Sequence, residues 1–542
     1  MSWLVPACAP CAGPAIDVRT ATAATTPTAW DAGYAALRVD PAWIEQLYPP
    51  AQPGPVWFTT EGPRAAVGVA LRELRAAGER GLAPDDYGVD ALEHRIGAAM
   101  QGTLDPAAVA HADRALSAAV LRFLSDLNAG RVRPEQVEPA FRVPPKRAPF
   151  AAVLREAVAG DHLADLIAGA EPAFAQYAQL KRLLAEYRAL AARPVPTLPP
   201  LASPRAKVVA GDRHAGAAAL HDVLVALGDL APDPAGAVDA TYTGKLAEAV
   251  QRFQARHGLA EDGILGKETL AALNTPVADR VGQIVLSLER LRWLPDFGAG
   301  PLIAINIPSF RLWAFADAHG AGRATLAMPV VVGKAMRSET PVFIGEMRYV
   351  EFSPYWNVPP GILRNELLPR LAADPAYLTR EDMEVVSTRR DGAALPDASA
   401  GVAALHSGEA RLRQRPGPRN ALGGVKFVLP NTMDIYLHAT PARELFDRTR
   451  RDFSHGCIRV RDPAALAAFV LRDAPEWTLP QIEAAMASGV NRVVPLATPT
   501  PVLVFYTTAI VDGEGRAIFL PDVYGHDRRL IAALRGRSRP VR

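Results

Sequence analysis

Only three cysteines occur in 542 residues, and two of them, Cys8 and Cys11, sit close to the start. The body of the chain therefore has no disulfide framework, and packed cores must hold it. Cys8 and Cys11 make a C-x-x-C, but no βαβ pattern follows to turn it into a redox site, and it reads as incidental. Long apolar runs are missing too. No stretch of about eighteen or more apolar residues occurs, so no transmembrane helix is expected. An excess of one charge is likewise absent: 59 Lys and Arg face 57 Asp and Glu, which leaves no basic field to draw nucleic acid. Nor is there paired-ligand spacing of the zinc type. His438, His455 and Cys457 come nearest to it without an evident fourth ligand, so neither a metal nor another cofactor is expected. The opening residues, MSWLVPACAPCAGPAIDVRT, hold a short apolar run and small residues with no Lys or Arg ahead of it. Segment 1–29 reads as the remnant of a signal peptide.

What is present is length and apolar content. At 542 residues the chain can hold three or four domains, and 49% hydrophobic with 21% charged residues describes a globular protein. The abundance of Ala, Pro and Arg reads as coding bias. Residues 30–193 are patterned as helices. In VGVALRELRAAGERGL most of Val67, Val69, Ala70, Leu71, Leu74 and Ala77 share one face, and Gly81 with Pro84 stops the run. Ala112–Asn128 and Tyr177–Leu190 repeat the spacing, and such stripes are core-packing faces. AARPVPTLPPLASPR then marks a proline-rich linker, 194–212. A compact helical unit follows at 213–275. Leu246, Val250, Phe253 and Gln254 lie at helical spacing, Gly258 stops that helix, Asp262-Gly263 and Gly266 make a tight turn, and a new helix starts at Lys267.

From Pro301 the period shortens to two. LIAINIPSFRLWAFAD reads as a hairpin turned near Pro308-Ser309, and LAMPVVVGK and TPVFIGEMRYVEFSP as further strands. The tail PVLVFYTTAIVDGEGRAIFLPDVYG has two strand runs separated by a D-G-E-G hairpin turn. YWNVPPGI cannot be a central strand, because its prolines remove ladder donors. Residues 355–414 interrupt the strand pattern with a charged, helix-and-loop insert.

The chemistry concentrates in NTMDIYLHATPARELFDRTRRDFSHGCIRV, residues 431–460. A strand-like run from Met433 to His438 leads through a polar turn and a short helical pattern to S-H-G-C. A thiol attacks as thiolate, so Cys457 needs a base or a positive field, and His438 at the strand end can be that base. Gly456 permits a backbone conformation in which N–H groups gather around an oxyanion. A lone Cys is also commonly a small buried hydrophobe, so these two residues alone leave both readings open.

The whole string resembles the catalytic signature of the YkuD-type L,D-transpeptidases: a His, about fifteen residues, then S-H-G-C, an aliphatic residue and Arg. Ala249–Leu273 resembles the peptidoglycan-binding-domain-1 module, whose order is F-Q-x-x-x-G-L and then D-G-x-x-G-x-x-T. GLAPDDYGVDAL and DLNAGRVRP resemble the scaffold region of the large family members, and W-N-V-P-P and the insert after it resemble their substrate-capping subdomain. The resemblance implies a multidomain α+β protein: a helical scaffold domain, a small three-helix peptidoglycan-binding module, and a β-rich catalytic domain (300–542) with a helical capping insert. It implies acyl transfer from a tetrapeptide stem to an acceptor stem of peptidoglycan in the periplasm or cell envelope, giving a 3→3 cross-link. The roles implied are Cys457 as nucleophile, His438 as general base and acid, and Gly456 as oxyanion backbone. The Ala439 carbonyl would orient His438, at a place where many larger relatives carry Asp. Ser454, His455, Tyr355, Trp356 and Asn357 are the candidate substrate contacts, the first two shaping the loop and the last three lining the donor site or packing. Arg459 binds a stem carboxylate or pairs with a structural acid. Other cell-wall synthesis proteins are further candidate partners. An L,D-carboxypeptidase or protein-anchoring enzyme would use the same Cys–His pair, and a non-catalytic wall-binding scaffold remains the alternative of another class.

Overall fold

The computed structural model describes residues 39–537 apart from 101–104, 147, 233–239, 319–323, 375, 389–393 and 395–397. The expected signal-peptide remnant (1–29) and the pair Cys8–Cys11 lie outside the described residues. Among them, no helix is long and apolar enough to cross a membrane.

The N-terminal region is helical around the long helix Pro106–Ala129, which starts on an Asp105 N-cap followed by Pro106 in the first turn. Trp57, Leu74, Tyr87, Leu116, Phe123 and Leu154 fill its core. A two-residue ribbon, β1 (Phe58–Thr59) with β2 (Gly62–Pro63), is fixed to that helix through buried Asp113. The Asp113 carboxylate accepts from Val56 N and Trp57 N at 3.0 and 2.7 Å and from the Tyr48 hydroxyl at 2.5 Å.

One helix of the region read as scaffold packs across onto the C-terminal domain. The apolar stripe of Ala175–Ala191 (Tyr177, Leu180, Leu184, Tyr187) belongs to the core of the C-terminal domain. Its partner is the helix Val277–Trp293, a segment that sequence pattern left unassigned. Every residue from Leu286 to Trp293 is buried, Glu289 and Arg292 fully so. Here Glu289 pairs with Arg292 at 3.2 Å and takes the backbone N–H groups of Arg131 and Val132 from the scaffold, while Arg290 pairs with Asp527 at 2.5 Å.

The 213–275 unit is three helices, Ala217–Ala226, Gly244–Arg256 and Lys267–Leu273, around Leu220, Val250, Phe253 and Leu273. Its sequence motif has one physical centre, the buried Gln254 amide. Nε2 donates to Asp262 Oδ1, Ile264 O and Thr269 Oγ1 at 2.9–3.1 Å, and Oε1 accepts Gly263 N at 2.8 Å. The F-Q, D-G and G-x-x-T elements thus meet in a single satisfied side chain.

The C-terminal domain is a ring of strands. Leu302–Asn306 (β3) and Arg311–Phe315 (β4) form the expected hairpin, turned through Phe310 in the left-handed region. Leu326–Gly333 (β5) and Phe343–Phe352 (β6) follow. The capping insert carries β7 (Trp356–Asn357), β8 (Met383–Ser387) and β9 (Ala410–Gln414). Then come β10 (Val425–Val428), β11 (Leu437–His438), β12 (Asp452–Ser454), β13 (Ile458–Val460) and the long β14 (Arg492–Phe505). The hairpin of β15 (Ala509–Val511) and β16 (Ala517–Phe519) closes the domain, with the D-G-E-G turn between its strands. The order β5-β13-β11-β10-β6-β14-β3-β4, with β4 returning to β5, closes eight strands on themselves, and β12 adds to β5. Two expectations change. The run Met433–His438 is strand only at Leu437–His438, because Asp434 takes φ 56° and turns the chain just before it. The insert is more than helix and loop. Its strands make a separate antiparallel sheet, β7-β9-β8, over a core of Leu367, Leu371, Val385 and Leu412.

Candidate active site

Parallel pairing of β11 on β13 builds the site. Leu437 faces Ile458 and His438 faces Arg459, and Ile458 N donates to Tyr436 O at 3.0 Å. On the other side Lys426 of β10 faces His438. Side chains alternate across a strand, so Tyr436, His438, Cys457, Arg459 and Lys426 share one face of the ring. Nineteen positions of sequence separate Cys457 from His438, and the register makes them diagonal neighbours on one face, on the order of 7 Å apart.

The loop between β12 and β13 is held from three sides. Ser454 Oγ donates to Cys457 O at 2.5 Å and accepts Gly456 N at 3.1 Å. Thr340 Oγ1 donates to Gly456 O at 2.7 Å, and Ser338 Oγ to Ser454 O at 3.0 Å. Gly456 has φ 117°, a conformation that side chains other than glycine's rarely tolerate. Its N–H is occupied by Ser454, so it differs from the expected oxyanion donor. The Cys457 N–H is left without a hydrogen-bond partner among the described residues.

The electrostatics favour a neutral resting pair. The thiol donates to Asp434 O at 3.4 Å, and no hydrogen bond joins it to His438 among the described residues. Burial raises the Cys457 pKa, against the N–H and hydroxyl of Tyr436 and the charge of Lys426, which lower it. Burial also drives His438 down to about 3, with the charges of Arg459 and Lys426 adding to the shift. The Ala439 and Leu422 carbonyls oppose this, and Ala439 O lies 2.6 Å from Nδ1. That contact fixes the ring and leaves Nε2 as the proton acceptor.

Arg459 has no ion pair among the described residues, and its buried Nε has no hydrogen bond. Glu444 is the one carboxylate that acts on it electrostatically, from beyond ion-pair distance. His455, half exposed, reaches out of the site and meets Glu366 of the capping insert at 2.6 Å. Tyr355, Trp356 and Asn357 lie apart from the thiol. Tyr355 stacks under the Arg413 guanidinium at 4.3 Å, and Trp356 and Asn357 pair with Gln414 and Arg413 in the insert's own sheet.

Sequence reading missed Tyr436, Lys426, Thr340 and Glu366. Alternation could have found Tyr436, two residues before His438 on the same strand face. The other three are brought in by register and by the insert, and nothing local marks them. Among the described residues no group of three His, Cys, Asp or Glu side chains is arranged to hold a metal ion. A cleft of about 2650 Å³ opens behind the ring between all three domains, lined by Phe174, Arg280, Trp313, Phe505 and Phe519, and no candidate site residue lines it.

Comparison with known proteins gives three family matches along the chain: a scaffold domain at residues 42–184, a "putative peptidoglycan binding domain" at 213–273, and the L,D-transpeptidase catalytic domain of the YkuD family at 300–504. A protein of Haemophilus influenzae described as a "putative L,D-transpeptidase" is 35% identical over 249 residues. That alignment spans 46% of this chain and 48% of the relative, about half of each. A crystal structure of an L,D-transpeptidase from Xylanimonas cellulosilytica aligns over all of its own chain and 58% of this one, with 19% identity and a TM-score of 0.18.

Proposed function

We propose that this chain, which carries a YkuD-type L,D-transpeptidase catalytic domain behind a peptidoglycan-binding module, forms 3→3 cross-links in peptidoglycan through a thioester on Cys457. The thiol attacks the carbonyl between the third stem residue and the terminal D-alanine of a tetrapeptide donor. His438 Nε2 takes the thiol proton and delivers it to the departing amine. An amine of a second stem then attacks the thioester and regenerates the thiol. Because both partners rest neutral, proton removal accompanies attack and no standing thiolate is required. The oxyanion is received by the Cys457 N–H and the Tyr436 hydroxyl, since the Gly456 N–H already serves Ser454. Arg459 receives a donor carboxylate, and that negative charge also offsets the repulsion that adds to burial in lowering His438.

One observation carries this reading: the β11–β13 register sets thiol, imidazole and a guanidinium without an ion pair among the described residues on one strand face. The peptidoglycan-binding module holds the enzyme to the wall of the periplasm or cell envelope. The insert covers the site, latched at His455–Glu366, and limits water while an amine acceptor enters. Mass spectrometry of purified protein with tetrapeptide-bearing wall fragments tests the reading. Cross-linked dimer supports it, free tripeptide would make the protein a carboxypeptidase, and no turnover would leave a binding scaffold. A carbapenem, whose strained amide acylates a nucleophile, should add covalently to the native chain and not to Cys457→Ser.

A further inference from the structure

The loop that bears Gly456 is tied to the scaffold domain through one buried histidine. Thr340, whose hydroxyl holds Gly456 O at 2.7 Å, ends the 334–340 loop after β5. Tyr524 clamps the two ends of that loop, donating to Gly333 O at 2.5 Å and accepting Thr340 N at 3.3 Å. A Cβ at Gly333 would stand 2.0 Å from Ser338 O, so the loop folds back with no room to spare. Within it, Glu339 Oε1 accepts Met336 N at 3.2 Å, and Oε2 lies 3.6 Å from His526 Nε2 and 3.5 Å from Arg529. The other ring nitrogen of His526 lies 2.5 Å from Glu138, which comes from the scaffold turn after the helix Pro106–Ala129. Both His526 and Glu138 are buried, and Tyr506 stacks on the imidazole at 4.3 Å. The Glu138 contact is close but not aligned as a hydrogen bond. The next residue, Asp527, pins the same helix start to Arg290 and to Thr508, each at 2.5 Å.

We propose that the scaffold domain positions the catalytic loop, with Glu138 acting through His526 and Glu339 to set the peptide of Gly456 and hence the Cys457 N–H that faces the oxyanion. The three are positioning residues, since none touches the reacting atoms. The inference rests on Cys457 as the nucleophile. A peptide plane misaimed by a fraction of an ångström weakens oxyanion stabilisation and leaves the thiol's own reactivity in place.

A double-mutant cycle on the full chain tests it, reading two rates on Cys457: acylation by a carbapenem, which needs the oxyanion donors, and alkylation by iodoacetamide, which does not. Glu138→Ala and Glu339→Ala should each slow acylation by about tenfold, change alkylation less than twofold, and together slow acylation little more than either alone. Additive effects, unchanged acylation, or equal slowing of both rates would overturn the proposal. If Glu138→Ala does not fold, Glu138→Gln keeps the shape and removes the charge, and the same cycle is run with Glu339→Gln. A native chain that is alkylated at Cys457 yet takes no carbapenem would overturn the nucleophile reading itself, a result distinct from slowed acylation in the variants.

Discussion

Replacing Arg459 by Met separates its two expected roles, because they predict opposite effects on stability. Removing one partner of a buried ion pair costs about 3–5 kcal/mol. Arg459 has no such partner among the described residues, and its Nε is buried without a hydrogen bond. Arg459→Met should therefore leave the melting temperature unchanged or raise it, the gain being about 1 kcal/mol from relief of an unsatisfied polar group. Its effect on His438 can be bounded. Facing residues on neighbouring strands lie about 5 Å apart, and at an effective dielectric of about 20 two like charges there repel by roughly 3 kcal/mol, or ~2 pKa units. His438 in the variant should titrate above its native value of about 3 by no more than that, since burial is the larger cause and remains. Donor turnover should fall at least tenfold through KM, because the carboxylate loses its charge-assisted partner. Thermal melts, histidine titration by NMR and donor kinetics on one protein pair make the measurement. A variant destabilised by several kcal/mol with an unmoved His438 would refute the reasoning and return Arg459 to a structural role.

Three further outcomes follow from the geometry. His438 is neutral in the folded chain down to about pH 3, whereas an unfolded histidine protonates near 6.5. Stability should thus be full above pH 6.5 and fall as pH drops toward 3, by up to ~5 kcal/mol from this group, and chemical melts of His438→Gln should lack that part of the acid loss. Phe253→Ala should cost about 3–5 kcal/mol and unfold the 213–275 unit, read as an early transition in the full chain's melt; a single unshifted transition would refute it. Glu366→Gln should loosen the insert and lower the ratio of cross-linked dimer to tripeptide, and an unchanged ratio in a folded variant would mean that the latch does not gate water.

Much of the fold was legible because its periods are local. The stripe of Gly244–Arg256, the turn at Asp262-Gly263 and the hairpin β3–β4 are each written in adjacent residues, and each forms as spaced. The failures share a cause. In Val277–Trp293 the charges Glu289, Arg290 and Arg292 interrupt the apolar stripe, and only partners from the scaffold and the C-terminal helix make them fit the interior. Ala175–Ala191 forms as a helix, and its stripe meets Val277–Trp293, which sequence does not reveal, since a stripe shows which face is apolar and not what covers it. The insert's small sheet was hidden for a similar reason. Two residues at β7 and five each at β8 and β9, divided by helices, give no sustained alternation.

The candidate site divides along the same line. Cys457, His438 and Arg459 stand out because their chemistry is carried by residue type and order. Tyr436, Lys426, Thr340 and Glu366 are ordinary residues made relevant by β-sheet register or by contact across some 90 to 120 positions of chain. The most informative feature could not be read in sequence at all, because it is a missing partner. An Arg at a strand end is unremarkable until the folded chain buries its Nε without a hydrogen bond beside an imidazole that burial keeps neutral. Natural cores rarely keep such a group, since a buried polar atom without a partner lowers stability by ~1–3 kcal/mol. Under the proposed function, a partner that arrives with the substrate would account for its place among Tyr436, Lys426 and His438. A carboxylate placed there would satisfy Arg459 and lift its part of the shift on His438, while the larger part, from burial, stays.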